Sequence, residues 1–298
     1  MTGKAFGAAG LIVTLSWATV ALSQEPAKRP SPPAVKVWRD LPYIEHGGPR
    51  NRLDLYRPQN AGGALPVVVW IHPGAWQQGS KELCPAVLLV TKGYAVASVN
   101  FRLAQDAAFP AQIEDCKAAI RWLRANAVKY RLDAAHIGVW GASSGGHLAA
   151  LLGTTGRVKE LEGSGGNLEQ SSRVQAVVDW FGPSDFTMPY KLDDDAASVV
   201  AMLIGRADAK NREKLRRASP VAYVDRDAAP FLIMHGAEDD VVPVAQSELL
   251  AAALKKAGVE VKLVIIKGTG HGGIGFGAAE NWNLIEDFFA KHLGKVTF

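Results

Sequence analysis

Within this 298-residue chain, Gly141-Ala142-Ser143-Ser144-Gly145-Gly146 is the segment best suited to covalent chemistry. It follows the apolar run HIGVW and precedes HLAALL, which gives GxSxG a strand-turn-helix context. A serine on such a turn presents its Oγ in the open, and small residues two places before and after relieve crowding of the backbone. Only Ser143 has glycine at both places, because Ser144 has Ala142 at −2. A serine hydroxyl is a weak nucleophile until a base removes its proton, and the base needs an acid to orient it.

Both partners occur downstream. The run FLIMHG leads into Ala237-Glu238-Asp239-Asp240-Val241-Val242-Pro243, and KLVIIK leads into Gly268-Thr269-Gly270-His271-Gly272-Gly273. A serine followed by an acid and then a histidine is the chain order of an α/β-hydrolase. Three adjacent carboxylates, Glu238, Asp239 and Asp240, compete for the acid. His271 is the best base of the seven histidines, with glycines around it that allow a tight turn. His147 falls inside the helix after Ser143, and His235 ends a strand and ties down a loop; His46, His136 and His292 have no motif around them. Upstream, Trp70-Ile71-His72-Pro73-Gly74-Ala75-Trp76 follows the run PVVVW. A small-residue loop at a strand end lets backbone N–H groups approach a developing oxyanion. The expected donors are the N–H groups of Gly74, Ala75 and Ser144. Pro73 has no N–H to give.

The elements that position these residues alternate along the chain. Apolar runs mark strands at Arg52 to Tyr56, Val67 to Ile71, Ala95 to Val99, Ile137 to Trp140, Val174 to Trp180, Phe231 to Met234 and Val261 to Ile266. Several lack polar alternation and read as strands buried on both faces of a mostly parallel sheet. Helical spacing covers Ala111 to Lys129, Gln246 to Lys256 and Asn281 to Leu293. The stretch 184–220 breaks the rhythm. It is too long for an ordinary connection and reads as a helical, lid-like insert over the strand ends. Its Phe186, Met188, Tyr190 and Met202 suit an acyl or aryl pocket, with Arg212 to Arg217 left in solvent. Trp76, Phe181 and Phe186 are the expected substrate contacts.

Composition narrows the classes. Hydrophobic residues are 48% and charged residues 21%, enough for a large core and against disorder. A mean hydropathy of +0.03 opposes a multispan membrane protein. Lys and Arg number 33 against 29 Asp and Glu, interspersed, so a nucleic-acid partner is not expected. Residues 1–23 read as a signal peptide, with Lys4 ahead of an apolar run and Ala21 and Ser23 at a cleavage site. The expectation is export to the periplasm or outside the cell, without stable membrane insertion after cleavage. Residues 24–34 are a proline-rich linker, and the catalytic domain spans 35–298. Cys84 and Cys116 read as helical, unpaired thiols rather than a staple.

The segments His72 to Trp76, Asn100-Phe101-Arg102-Leu103, Asp115, GASSGGHLAA, HGAEDDVVP and GTGHGG together resemble the exported α/β-hydrolase esterases related to hormone-sensitive lipase. Within them the chain is most similar to the subgroup named for bifunctional feruloyl and acetyl-xylan esterases. The resemblance runs from about residue 50 to 293. It implies an eight-stranded sheet with helices on both faces, and Ser143, Asp239 and His271 as a triad, with Asp239 at the acid of HGxxDxxVP. Pro73, Ala75 and Ser144 depart from the family's pattern. A serine-dependent ester hydrolase follows, acting on small acyl esters such as acetyl or feruloyl groups on plant carbohydrate, with no metal or organic cofactor. The rival readings are a lipase-like carboxylesterase, an arylformamidase, a serine peptidase and a non-catalytic binding protein of the same fold.

Overall fold

The computed structural model describes residues 35–188, 194–204 and 212–294. The expected signal and linker, and Tyr190, lie outside the described residues. Eight strands form one sheet: β1 (Val35–Pro42), β2 (Arg52–Pro58), β3 (Leu65–Ile71), β4 (Ala95–Val99), β5 (Leu132–Ala142), β6 (Ala176–Trp180), β7 (Phe231–Gly236) and β8 (Val261–Ile266). Their order is β1-β2-β4-β3-β5-β6-β7-β8. The β1–β2 and β2–β4 pairs are antiparallel; β4, β3, β5, β6, β7 and β8 run parallel. The continuously apolar runs occupy the middle, where every residue of β3, β4, β6 and β7 is buried.

Alternate side chains of β3 enter two separate cores, as the period of a strand requires. Val67, Val69 and Ile71 face a core shared with α1 (Ala111–Ala125), α3 (Ser144–Thr154) and α6 (Ala245–Lys256). Val68 and Trp70 face the other core, shared with α7 (Ala279–Leu293) and the 3₁₀ segment Pro85–Lys92. The remaining helices are α2 (Ala127–Tyr130), α4 (Asp194–Ile204) and α5 (Arg212–Ala218).

Three elements differ from the sequence expectation. β1 is a strand where no apolar run marked one: Lys36, Arg39 and Asp40 interrupt it because it lies at the sheet edge with one side in water. β8, read as buried on both faces, is the opposite edge, and Lys262 and Ile265 are exposed. The helix expected over Ala111 to Lys129 is broken at Asn126 into α1 and α2. Cys84 precedes a 3₁₀ segment rather than lying in an α-helix, and both cysteines are free thiols.

One buried carboxylate connects the α1 core to the loops above the sheet. Asp115 of α1 has no exposed side-chain surface and accepts from the Arg102 backbone N–H at 2.9 Å and its Nη2 at 2.7 Å. That holds the 101–104 loop, from which Ala104 N–H donates to Trp76 O at 2.8 Å. Asp115→Asn leaves the volume unchanged but removes the charge that Arg102 pairs with. Arg102 is partly solvated, so a moderate loss of about 1–3 kcal/mol is expected. Urea denaturation checks it; a midpoint equal to wild type would show that the pair contributes nothing.

Candidate active site

Ser143 stands between the end of β5 and the start of α3, at φ 54° and ψ −120°. This is a strained position for a residue with a Cβ. The two flanking glycines are demanded by contact. A Cβ on Gly141 would lie 2.1 Å from Gly145 O, and one on Gly145 would lie 2.1 Å from Ile71 O. The Ser143 N–H donates to Trp180 O at 2.8 Å, which fixes the turn against β6. Ser144 opens α3, so its N–H belongs to the unpaired first turn of the helix. Its side-chain Oγ is buried and has no hydrogen-bond partner among the described residues.

Ser143, His271 and Asp239 come together although 128 residues separate the first two. His271 Nε2 is 2.9 Å from Ser143 Oγ, and His271 Nδ1 is 2.8 Å from Asp239 Oδ2. Of the three carboxylates left open by the residues alone, Asp239 is the one that meets His271, and its side chain is fully buried while Glu238 and Asp240 are exposed. Burial by itself would raise the Asp239 pKa. Hydrogen bonds from His235 and His271 and the Val242 N–H outweigh it and hold the carboxyl well below the usual carboxylate range. Asp239 Oδ1 accepts the N–H groups of Val241 at 2.9 Å and Val242 at 2.8 Å. On Oδ2 there is a second imidazole: His235 Nε2 lies 3.1 Å away. His235 does tie down the loop, as its place at a strand end suggests, by donating from Nε2 to Val242 O at 2.8 Å, and the contact with Asp239 is additional. Its place four residues before Asp239, across a strand-to-loop turn, was the available signal.

The loop after β3 supplies the facing wall. Gly74, Ala75 and Trp76 have φ of 132°, 54° and 58°, so three successive residues have positive φ. A Cβ on Gly74 would lie 2.2 Å from Gln78 O. Trp76 Nε1 donates to His147 Nδ1 at 3.2 Å, and His147 Nε2–H donates to Ala218 O at 2.7 Å. Burial lowers the His147 pKa to about 4, so this ring is neutral and spans from the β3 loop to the insert.

Ala75, Trp76 and Ser143 line a cavity of about 140 Å³ together with Pro183, Phe186, Val199, Val200, Val241, Val242, Pro243 and Gln246. The lining is apolar apart from Ser143 and Gln246. Gln246 is already engaged: its Oε1 accepts from the backbone N–H groups of Ser184 and Asp185, and its Nε2 donates to Asp185 O at 3.1 Å. The insert's two ends also meet, through Phe186 N–H to Ser219 Oγ at 2.9 Å and Val221 N–H to Ser184 O at 3.2 Å.

Of the expected substrate contacts, Trp76 and Phe186 line the cavity and Phe181 does not. Phe181 is buried and lies against the His271 ring at 4.6 Å and the Phe276 ring at 4.7 Å, so it packs on the base instead. Met202 is 47% exposed, and its α4 neighbours Val199 and Val200 turn inward in its place. Arg212 to Arg217 are exposed except Leu215, as expected of that stretch. The described residues contain no cluster of His, Cys, Asp or Glu able to hold a metal ion, and no helix long and apolar enough to cross a membrane.

A family model, BD-FAE, matches residues 53–254. The chain belongs to the BD-FAE family. Similar relatives include Esterase LipC of Mycobacterium tuberculosis, 32% identical over 83% of this chain and 64% of that one. Esterase LipQ of the same organism is 33% identical over 74% of this chain and 53% of its own length. The chain thus spans less than two thirds of the length of these curated relatives. Among solved structures, a truncated carbohydrate esterase from gut microbiota is 36% identical with a TM-score of 0.79, covering 86% of this chain and 95% of that one. A bifunctional GH43-CE protein of Bacteroides eggerthii is 39% identical with a TM-score of 0.79, covering 86% of this chain and 35% of its own. The eight-stranded, mostly parallel sheet is that of an α/β-hydrolase, as the BD-FAE resemblance implied.

A buried acid under the turn yields a pH prediction. Asp179 of β6 lies within van der Waals reach of Gly146 and Gly182, and its Oδ1 accepts the Gly182 N–H at 3.0 Å. Burial raises its pKa to about 6, against the lowering effect of that hydrogen bond and of His235. A raised folded pKa means that the folded state holds the proton more tightly. The stabilisation is complete below the unfolded pKa and is lost as pH rises through about 6. Asp179→Asn stays neutral, so its stability relative to wild type should increase between pH 4 and 7, by a few kcal/mol at most. Denaturant titrations at several pH values test this, and a difference independent of pH would contradict it.

Proposed function

We propose that this chain is an exported, serine-dependent carboxylic-ester hydrolase acting on small acyl esters through an acyl-enzyme. The observation that carries the reading is the unbroken line from Asp239 through His271 to Ser143 Oγ, whose serine lines an apolar cavity. His271 takes the Ser143 proton as Oγ attacks the ester carbonyl, and returns it to the leaving alcohol. Asp239 holds the Nδ1–H tautomer and stabilises the imidazolium. The N–H groups of Gly74, Ala75 and Ser144 receive the oxyanion. Water activated by His271 then releases the acid.

The cavity supports a small acyl group. At about 140 Å³ it has room for a short acyl group. Its single amide, Gln246, is already bonded to the insert, so the hydroxyl and methoxy of a feruloyl ring would find little hydrogen bonding there. An acetyl or short aliphatic acyl group fits these walls better. Similar solved structures named as carbohydrate esterases support an acylated carbohydrate as the substrate. Relatives named simply as esterases support the broader carboxylesterase reading. The apolar residues that the insert adds to the cavity support its role as a lid, and the apolar run after Lys4 supports export. N-terminal sequencing of the secreted protein tests that export.

Labelling with a fluorophosphonate, followed by hydrolysis of p-nitrophenyl esters from acetyl to decanoyl and of feruloyl and acetylated-xylan substrates, tests the reading. Ser143→Ala is expected to abolish labelling and to lower kcat by at least about 10⁴. Ser144→Ala keeps the backbone N–H and removes only an unpartnered hydroxyl, so its activity should stay within a few fold of wild type. An active Ser143→Ala beside an inactive Ser144→Ala would move the nucleophile by one residue. Turnover should peak at about four to six acyl carbons and fall for longer chains and for feruloyl esters. A rate that climbs through decanoyl would show that the acyl group lies outside this cavity.

A further inference from the structure

We infer that His235 is a second positioning residue for the reaction, acting on Asp239 as Asp239 acts on His271. The inference rests on the ester-hydrolase reading above. His235 is fully buried at the end of β7. Its Nε2 lies 2.8 Å from Val242 O and 3.1 Å from Asp239 Oδ2, and its Nδ1 lies 2.6 Å from Ser247 Oγ of α6.

The tautomer follows from the partners. A carbonyl and a carboxylate can only accept, so Nε2 carries the hydrogen. In the neutral ring Nδ1 is then the acceptor, and the Ser247 hydroxyl donates to it. With the proton on Nδ1 instead, a nitrogen lone pair would face two oxygens. Ser247 therefore selects the ring form that Asp239 requires. The one Nε2–H donates to Val242 O at 2.8 Å with Asp239 Oδ2 as a second, longer acceptor at 3.1 Å, and that shared contact joins Ser247 and His235 to the line of Asp239, His271 and Ser143.

His235 differs in kind from the other donors to Asp239. The Val241 and Val242 amides belong to the same turn as Asp239 and move with it. His235 is fixed in the sheet and braced from α6, so it ties the carboxylate to rigid scaffold. A carboxylate torsion has a broad energy well and needs such a tie to stay in the His271 plane. Sharing Oδ2 between two imidazoles also withdraws negative charge from the His271 side. Without the His235 donor, that charge concentrates on His271, which favours its protonated form. The acid limb of kcat/KM should then move to higher pH, because His271 must be neutral to act as base. Other groups facing His235 are Asp179 from β6, unaltered in every variant below, and Ile265 from β8, which carries no charge.

The experiment is kcat/KM against pH with p-nitrophenyl butyrate, using the full chain as wild type, His235→Phe, His235→Gln and Ser247→Ala. His235→Phe should lose about ten- to a hundredfold in kcat, the equivalent of one charge-assisted hydrogen bond, with KM within about twofold. Its acid limb should rise by between a few tenths and about one pH unit. His235→Gln carries an amide N–H near the Nε2 position and should recover most of the rate and the wild-type limb. Ser247→Ala removes one hydroxyl, and its limb should move the same way by a smaller amount; it decides the matter if His235→Phe does not fold. Limbs of His235→Phe and Ser247→Ala that coincide with wild type, or a His235→Gln no better than His235→Phe, overturn the inference. Fluorophosphonate titration separates the two readings. A wild type that does not react sinks the hydrolase reading, whereas a reactive wild type with unmoved limbs sinks only the role of His235.

Discussion

Helix α3 is pressed onto the ends of three strands, and the site depends on that contact. There is no room for a single carbon between Gly145 and the Ile71 carbonyl, between Gly141 and the Gly145 carbonyl, or between Gly146 and the Asp179 carboxyl. The approach lifts Ser143 clear of the sheet and aims the first turn of α3 at the loop after β3. The backbone strain gathers in the same place. Of the eight non-glycine residues with positive φ among the described residues, four are Ala75, Trp76, Ser143 and Phe181, each just past the end of β3, β5 or β6. Such conformations persist only where surrounding structure over-determines them. Here the surroundings are the buried strands themselves.

The charges around the site are arranged with similar economy. His72 and His147 are held neutral by burial, each near a pKa of about 4. Asp239 is buried as well, yet the Val241 and Val242 amides and His271, with the His235 Nε2–H close by, keep it ionised. A buried carboxylate with a full set of donors costs little to hold and cannot easily rotate. Low-dielectric walls on the cavity side strengthen its attraction for the His271 imidazolium.

Much of this was legible in the sequence because chemistry in a parallel sheet collects past the C-terminal strand ends. Ser143, Asp239 and His271 each follow an apolar run, so their convergence needed only the strand order. Among Glu238, Asp239 and Asp240 the residues alone do not single out one carboxylate; the resemblance pointed to Asp239, and the turn buries its side chain and exposes the other two. β1 escaped notice because an edge strand carries charges where a central one cannot. Met202 and Phe181 illustrate a different limit. Both are large and apolar, and whether such a side chain meets substrate depends on the phase of α4 in one case and the twist after β6 in the other. His235 reads as one more polar residue at a strand end until α6 is folded back beside it.

The insert is anchored at its roots. Gln246 grips Ser184 and Asp185, Ser219 receives Phe186, and His147 holds Ala218. Between the roots, Phe109 N–H donates to Leu203 O at 2.8 Å, and Leu203 and Ile204 are buried in the core, so α4 is seated on the scaffold as well. Val199 and Val200 stand one turn before that anchor and line the cavity. The insert's share of the cavity wall is set by how α4 is seated, while Ser143, His271 and Asp239 rest on strand-end loops, so the shape of the cavity and the line of hydrogen bonds are held by different parts of the chain.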